Sequence, residues 1–266
     1  MLNFTPECGL NLKIDCPFQA NDSLLSFLRS SDLKKKTVFG HKMWKRKWLV
    51  RFFATITYPR FNYLYNAEIS GTEILDELPT SNVLIVSNHQ TYFSDALFMM
   101  HAFQAAACGK HNTIKYPGYW KMPLEELYVV AAAETVDGTM LSEFMKTCGC
   151  ITIERTWRNQ GKSISRPVNP NDVESIYKAL SAGWVVSFPQ GTTKPFVPAR
   201  KGTAHIIKQQ KPVVLPVVID GFRRGFDKKG IKKKKKGGTL SLTIKKPLTI
   251  DFDDSVENIL EQIMDA

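Results

Sequence analysis

From residue 82 onward the chain alternates between short apolar runs and stretches of helical periodicity, and this alternation constrains its fold most. The apolar runs are "NVLIVS" (82–87), "CITIE" (150–154), "WVVSF" (184–188), "VVLPVVI" (213–219) and "TLSLTI" (239–244). Helical patterns lie between them at 95–106, at 123–147 with breaks, at 171–182 and at 202–210, and "SVENILEQIM" closes the chain. Short apolar strands separated by helices predict an α/β fold, with a largely parallel central sheet flanked by helices. No internal repeat is present. A length of 266 residues suits one such domain with an appended segment, and 43% hydrophobic with 23% charged residues is ordinary for a globular chain.

The appended segment reads as residues 1–66, a helical, basic and aromatic stretch, with the main domain at 67–266. Within "NDSLLSFLRSSDL", Leu24, Leu25 and Leu28 share one face of a short amphipathic helix. In 41–66, Lys42, Lys45, Arg46, Lys47 and Arg51 are interleaved with Trp44, Trp48, Phe52 and Phe53. Trp44, Trp48 and Phe52 are spaced four apart and align on one helical face. Such a helix suits the headgroup region of an anionic membrane. It equally suits a helix that packs its aromatics onto the main domain and leaves a solvated charged side.

The formal net charge of +11 points to anionic partners. The five lysines 232–236 add to it and read as a solvated, mobile loop that an anionic surface would attract. Nucleic acid is the weakest of these fits, and none is expected. No run approaches the roughly 18 apolar residues of a spanning helix, and the first residues lack a secretory pattern. The expectation is a peripheral location on the cytoplasmic face of a membrane. The five cysteines, Cys8, Cys16, Cys108, Cys148 and Cys150, form neither a disulfide framework nor a zinc pattern, so free thiols and no bound metal are expected.

In α/β sheets, ligands collect at the carboxyl ends of strands. Polar clusters follow four of the runs: Asn88-His89 with Asp95, Glu154-Arg155, "FPQGTT" at 188–193, and Asp220-Gly221-Phe222-Arg223-Arg224. A histidine beside a carboxylate can act as a general base near neutral pH. Taken alone, the same residues also read as a structural histidine and a helix cap at Ser94 or Asp95.

Four blocks in fixed order carry a resemblance. "NHQTYFSD" resembles the Asn-His-x4-Asp block of the glycerolipid acyltransferases, typified by 1-acylglycerol-3-phosphate acyltransferase. "GCITIER" matches that family's Gly-x-Ile-x-Ile-x-Arg. "FPQGTT" resembles Phe-Pro-Glu-Gly-Thr-Arg, and "VVLPVVIDG" resembles the fourth block, an apolar strand with a proline, here Pro216. The resemblance covers about residues 80–222. It implies an O-acyltransferase of membrane lipid biosynthesis that moves an acyl chain from acyl-CoA or acyl carrier protein, as co-substrate, to a hydroxyl of a 1-acylglycerol-3-phosphate-like lysolipid, with no cofactor, no metal and no acyl-enzyme. His89 and Asp95 would be catalytic. Asn88, Arg155, Gln190, Gly191, Thr192 and Lys194 would bind substrate, and backbone N–H groups around Gly191 and Thr192 would steady the oxyanion.

Three departures accompany it. Five residues rather than four separate His89 from Asp95, so the pair meets only if His89 lies in a loop and Tyr92-Phe93-Ser94 absorb the extra residue. Gln190 stands in place of a glutamate, and Thr193 in place of an arginine. The last two changes open the acceptor to an amino-acid-containing or other lysophospholipid. The alternative is a non-catalytic lipid- or membrane-binding protein on the same fold.

Overall fold

Five parallel strands form the centre of the sheet, and two reversed strands extend one side of it. The computed structural model describes residues 34–119, 124–136, 139–159 and 162–266. The leucine-rich stretch before residue 34, with Cys8 and Cys16, lies outside these residues. In chain order the elements are α1 (Met43–Leu64), β1 (Asn66–Ser70), a 3-10 helix (Thr72–Glu77), β2 (Val83–Ser87), α2 (Ser94–Ala106), β3 (Leu127–Ala132), α3 (Ala133–Val136), α4 (Thr139–Thr147) and β4 (Cys150–Ile153). They continue as β5 (Arg158–Asn159), β6 (Lys162–Ser163), α5 (Pro170–Ala182), β7 (Trp184–Ser187), α6 (Lys201–Gln210), β8 (Val213–Asp220), α7 (Phe222–Gly225), β9 (Thr239–Ile244) and α8 (Val256–Asp265).

The main sheet runs β1-β9-β8-β2-β7-β3-β4. Strand β9 is antiparallel to β8 and parallel to β1, whereas β8, β2, β7, β3 and β4 all run the same way. Every residue of β2 is buried, as expected of a central strand covered on both faces. Val83 and Ile85 join a core beneath α1 and α2, while Leu84 and Val86 join a second core beneath α5, α6 and α8. Local chemistry sets the helix ends: Asn169 caps α5 ahead of Pro170, Gly183 ends it, and Ser255 caps α8.

The structure corrects three expectations. The stretch 123–147 is not a broken helix, because Leu127–Ala132 is strand β3, hydrogen-bonded between β7 and β4. Its "LYVVAA" sequence has no alternation because both faces are covered, and the alanines that follow hide the switch to helix. Helix α1 forms, but its charges do not all face water. Arg46 is 2% exposed, bonded to Glu126 and to the Leu127 carbonyl, and lies over the Tyr128 ring, while Lys47 pairs with Glu125. The outward side instead carries Trp48 at 47% and Phe52 at 62% exposure. The third correction is the lysine run. Its side chains are solvated, but its backbone is pinned: Lys234 N–H donates to the Gly225 carbonyl, Asp227 accepts from the Ile231 and Lys232 amides, and Gly237 N–H donates to the Leu64 carbonyl. No helix among the described residues is long and apolar enough to cross a membrane.

Candidate active site

Strands β2, β7, β4 and β8 end on the same side of the sheet, and the four polar clusters follow those ends. Where β2 runs out, Asn88 continues the ladder: its side-chain amide donates to the Ile219 carbonyl at 2.8 Å and accepts from Ile219 N–H at 2.9 Å. One N–H and one lone pair of that amide thus engage β8, which fixes the start of the loop that carries His89.

His89 lies in the loop, and Nδ1 is 2.9 Å from Asp95 Oδ2. Asp95 is fully buried and also accepts from the Gln90 amide, the Thr91 amide and the Thr91 hydroxyl. The carboxylate thus gathers the loop that carries the histidine instead of capping its own helix. The α2 boundary residue, Phe93, makes no side-chain cap bond. With Nδ1–H donated to the acid, Nε2 keeps its lone pair, and no protein partner faces it among the described residues. The imidazole stacks on Phe188, with ring centroids 4.0 Å apart and planes 20° from parallel.

The extra residue between His89 and Asp95 is absorbed before α2 begins at Ser94. A distant loop holds that turn. Tyr92 and Phe93 N–H donate to the Lys228 and Lys229 carbonyls, and the Ser94 hydroxyl donates to the Gly230 carbonyl at 2.6 Å. Gly230 has φ +78°, and a Cβ there would fall 2.7 Å from Ser94 N. Backbone conformation and space both call for glycine at this position.

The turn after β7 joins the parts. Phe188 touches His89, while the Gly191 carbonyl lies 3.5 Å from Arg155 Nη1. Arg155 also faces Glu134, at 3.5 Å. Gly191 N–H donates to the Phe188 carbonyl, so it closes the turn and is not a donor to an oxyanion. That corrects half of the expected pair and leaves the Thr192 amide. A Cβ on Gly191 would strike the Trp157 indole at 2.7 Å, and Arg200 lies over that ring, 4.4 Å from the centroid. Lys194 is exposed beside the turn, and its N–H donates to the Thr192 hydroxyl. Gln190 lines a cavity with Ser87, Asn88, Pro189 and, from α8, Met264.

Glu134 carries no sequence signal, whereas Phe188 and Arg223 stand within the clusters after β7 and β8 without a role of their own. Arg223 bridges two of the loops, since its guanidinium donates to the carbonyls of His89 and Thr193, and its N–H donates to the Gln90 side chain. The signal was the "FRRG" following β8. An apolar groove starts at Tyr92 and Phe93 and runs between α1, α2, β3 and α4, past Phe53, Phe144 and Met145. Cys148 and Cys150 also line it, and burial pushes both thiols up to about 12, which leaves them poor nucleophiles.

The model of a protein family described as Acyltransferase matches residues 67–220. Among solved structures, the chain is similar to the 1-acyl-sn-glycerophosphate (LPA) acyltransferase PlsC from Thermotoga maritima. The TM-score is 0.52 at 15% identity, over 83% of this chain and 77% of that one, a likeness of fold. No curated protein matches the chain.

Proposed function

Because the chain belongs to the acyltransferase family, we propose that it transfers an acyl chain from an acyl thioester, acyl-CoA or acyl carrier protein, to the hydroxyl of a lysophospholipid in membrane lipid biosynthesis. One observation carries the reading: the His89 ring is fixed by Asp95 at 2.9 Å with Nε2 left open beside the Gly191 turn.

His89 Nε2 removes the acceptor hydroxyl proton as that oxygen attacks the thioester carbonyl. Asp95 holds the ring and stabilises the imidazolium that forms. The Thr192 amide supports the tetrahedral oxyanion. Collapse breaks the carbon–sulfur bond, and the departing thiolate takes the proton back from His89, which gives ester and free thiol. Base assistance of this kind is worth about 10²–10⁴ in rate. No step needs a protein nucleophile, in keeping with the protonated state of Cys148 and Cys150.

The apolar groove beginning at Tyr92 and Phe93 suits the acyl chain. Arg155, Lys194 and Arg223 suit the anionic portions of donor and acceptor. Thr193 at the arginine position and Gln190 at the glutamate position favour an acceptor other than a phosphate monoester, with an amino-acid-containing lysolipid as the second reading. Peripheral placement on the cytoplasmic face of an anionic membrane, where lysolipids reside, completes the proposal. The test is acyl transfer to a panel of lysolipids by wild type and His89→Ala. Transfer by the wild type that the mutant loses by about 10² or more supports the reading, whereas equal transfer by both removes His89 as the base.

A further inference from the structure

Seven lysines, Lys228, Lys229 and Lys232 through Lys236, project from the loop after α7, and all are exposed. None is ion-paired among the described residues. The loop is nonetheless fixed at two places. Arg60 of α1 donates to the Ile231 carbonyl, and Gly237 N–H donates to the Leu64 carbonyl, so the lysines sit against the end of α1. The other anchor is the His89–Asp95 turn, through Tyr92, Phe93 and Ser94, with Lys228 Nζ 5.6 Å from the Tyr92 ring centroid.

Helix α1 supplies the second half of the surface. Phe52, Ile56 and Tyr63 are exposed and, at spacings of four and seven, share one face. Arg60, one turn past Ile56, is the residue that reaches the loop. Basic and apolar groups therefore adjoin: lysines on the loop, then exposed Ile231, then the outer edge of α1.

We propose that loop 226–237 and the outer edge of α1 together form a docking surface for an anionic phospholipid bilayer, and that seating on the bilayer steadies the His89–Asp95 turn. The role of that turn rests on the acyltransferase reading; the binding does not. A bilayer interface satisfies both halves at once, because lysines meet phosphate headgroups while aromatic and aliphatic side chains enter the headgroup boundary. An acidic protein or a nucleic acid would match the lysines and leave the apolar edge in water. Like charges crowded on one loop repel each other, so an anionic surface relieves a repulsion that acts directly on the residues bonded to Tyr92, Phe93 and Ser94.

The test uses vesicle flotation of the full chain, with phosphatidylcholine vesicles and with phosphatidylcholine containing phosphatidylglycerol. The variants are the quintuple K232Q/K233Q/K234Q/K235Q/K236Q and the double F52S/I56S, each checked by circular dichroism for wild-type folding. The proposal expects salt-sensitive binding to the anionic vesicles alone. Loss of the five lysines should weaken it at least about tenfold, and the double variant should weaken it as well. Bound wild type should show slower hydrogen exchange at the Tyr92 and Phe93 amides. Equal binding by wild type and quintuple variant, equal binding to neutral vesicles, or binding to heparin or acidic protein in preference to vesicles would each overturn the docking surface. Unchanged exchange at Tyr92 and Phe93 would overturn the coupling. None of these readouts requires a donor or an acceptor, so an absence of acyl transfer leaves them interpretable.

Discussion

The Asp95 carboxylate binds His89 Nδ1 at 2.9 Å and, on the same two oxygens, the Gln90 amide and the Thr91 amide and hydroxyl. Orientation of the ring and folding of its loop therefore depend on one side chain. The consequence is separable by substitution. Asp95→Asn keeps the shape but presents an amide, and it should cut turnover about 10²–10⁴-fold with little loss of stability. Asp95→Ala leaves several buried donors without a partner, so it should also cost about 3 kcal/mol or more. Thermal unfolding measured beside activity distinguishes the two. Equal effects of both variants on stability would contradict this account of the loop.

Arg223 ties the carbonyls of His89 and Thr193, which places a guanidinium beside Thr193. Arg223→Ala should raise KM for an anionic acceptor about tenfold or more, as expected for loss of a charge-assisted contact. Arg223→Lys should restore part of that loss. Steady-state kinetics at several ionic strengths check it, since the wild-type advantage should shrink with salt.

Gly230 provides a mechanical test of the turn. A Cβ there would sit 2.7 Å from Ser94 N at φ +78°, whereas Gly237, at φ +72°, has nothing within 4 Å. Gly230→Ala should cost about 1–3 kcal/mol and reduce turnover by disturbing the His89–Asp95 geometry. Gly237→Ala shares the backbone strain without the clash, and it should leave turnover near wild type. Comparable turnover in the two variants would detach the loop from the site.

Burial lowers His101 to about 3, where it contacts the Thr57 hydroxyl and the Tyr119 hydroxyl between α1 and α2. The folded value lies below the ordinary 6.5, so the unfolded chain binds the extra proton first. The stability that neutral His101 contributes is complete above about pH 6.5 and is lost as pH falls toward 3. Within that window the loss reaches about 1.4 kcal/mol per pH unit. Chemical denaturation as a function of pH should show a shallower acid slope in His101→Gln than in wild type, even though the variant starts less stable.

Much of the sheet was legible because β2, β4, β7, β8 and β9 are short apolar runs bounded by polar turns. Strand β3 was not, since covered faces erase its alternation and Ala131–Ala133 continue into helix without a break. Strand β1, "NAEIS", is a polar edge strand with little apolar content to mark it. In the site, the meeting of His89 and Asp95 could be anticipated only conditionally. The condition, a turn at Tyr92–Ser94, is met by carbonyls 136 residues away. Phe188 was quoted within its block, but its stacking on the imidazole is a property of two strand ends brought side by side. The orientation of Arg46 and Lys47 was set by Glu125 and Glu126 near the start of β3, a partnership that helical spacing in α1 could not disclose.

The dependence of the turn on Gly230 reaches past this molecule. A five-residue spacer and the remote loop that accommodates it form one structural unit, so the first block is not a portable cassette. Grafting "NHQTYFSD" alone into a relative with the shorter spacing would strand the added residue without its distant carbonyls, and a chimaera should work only when both pieces travel together.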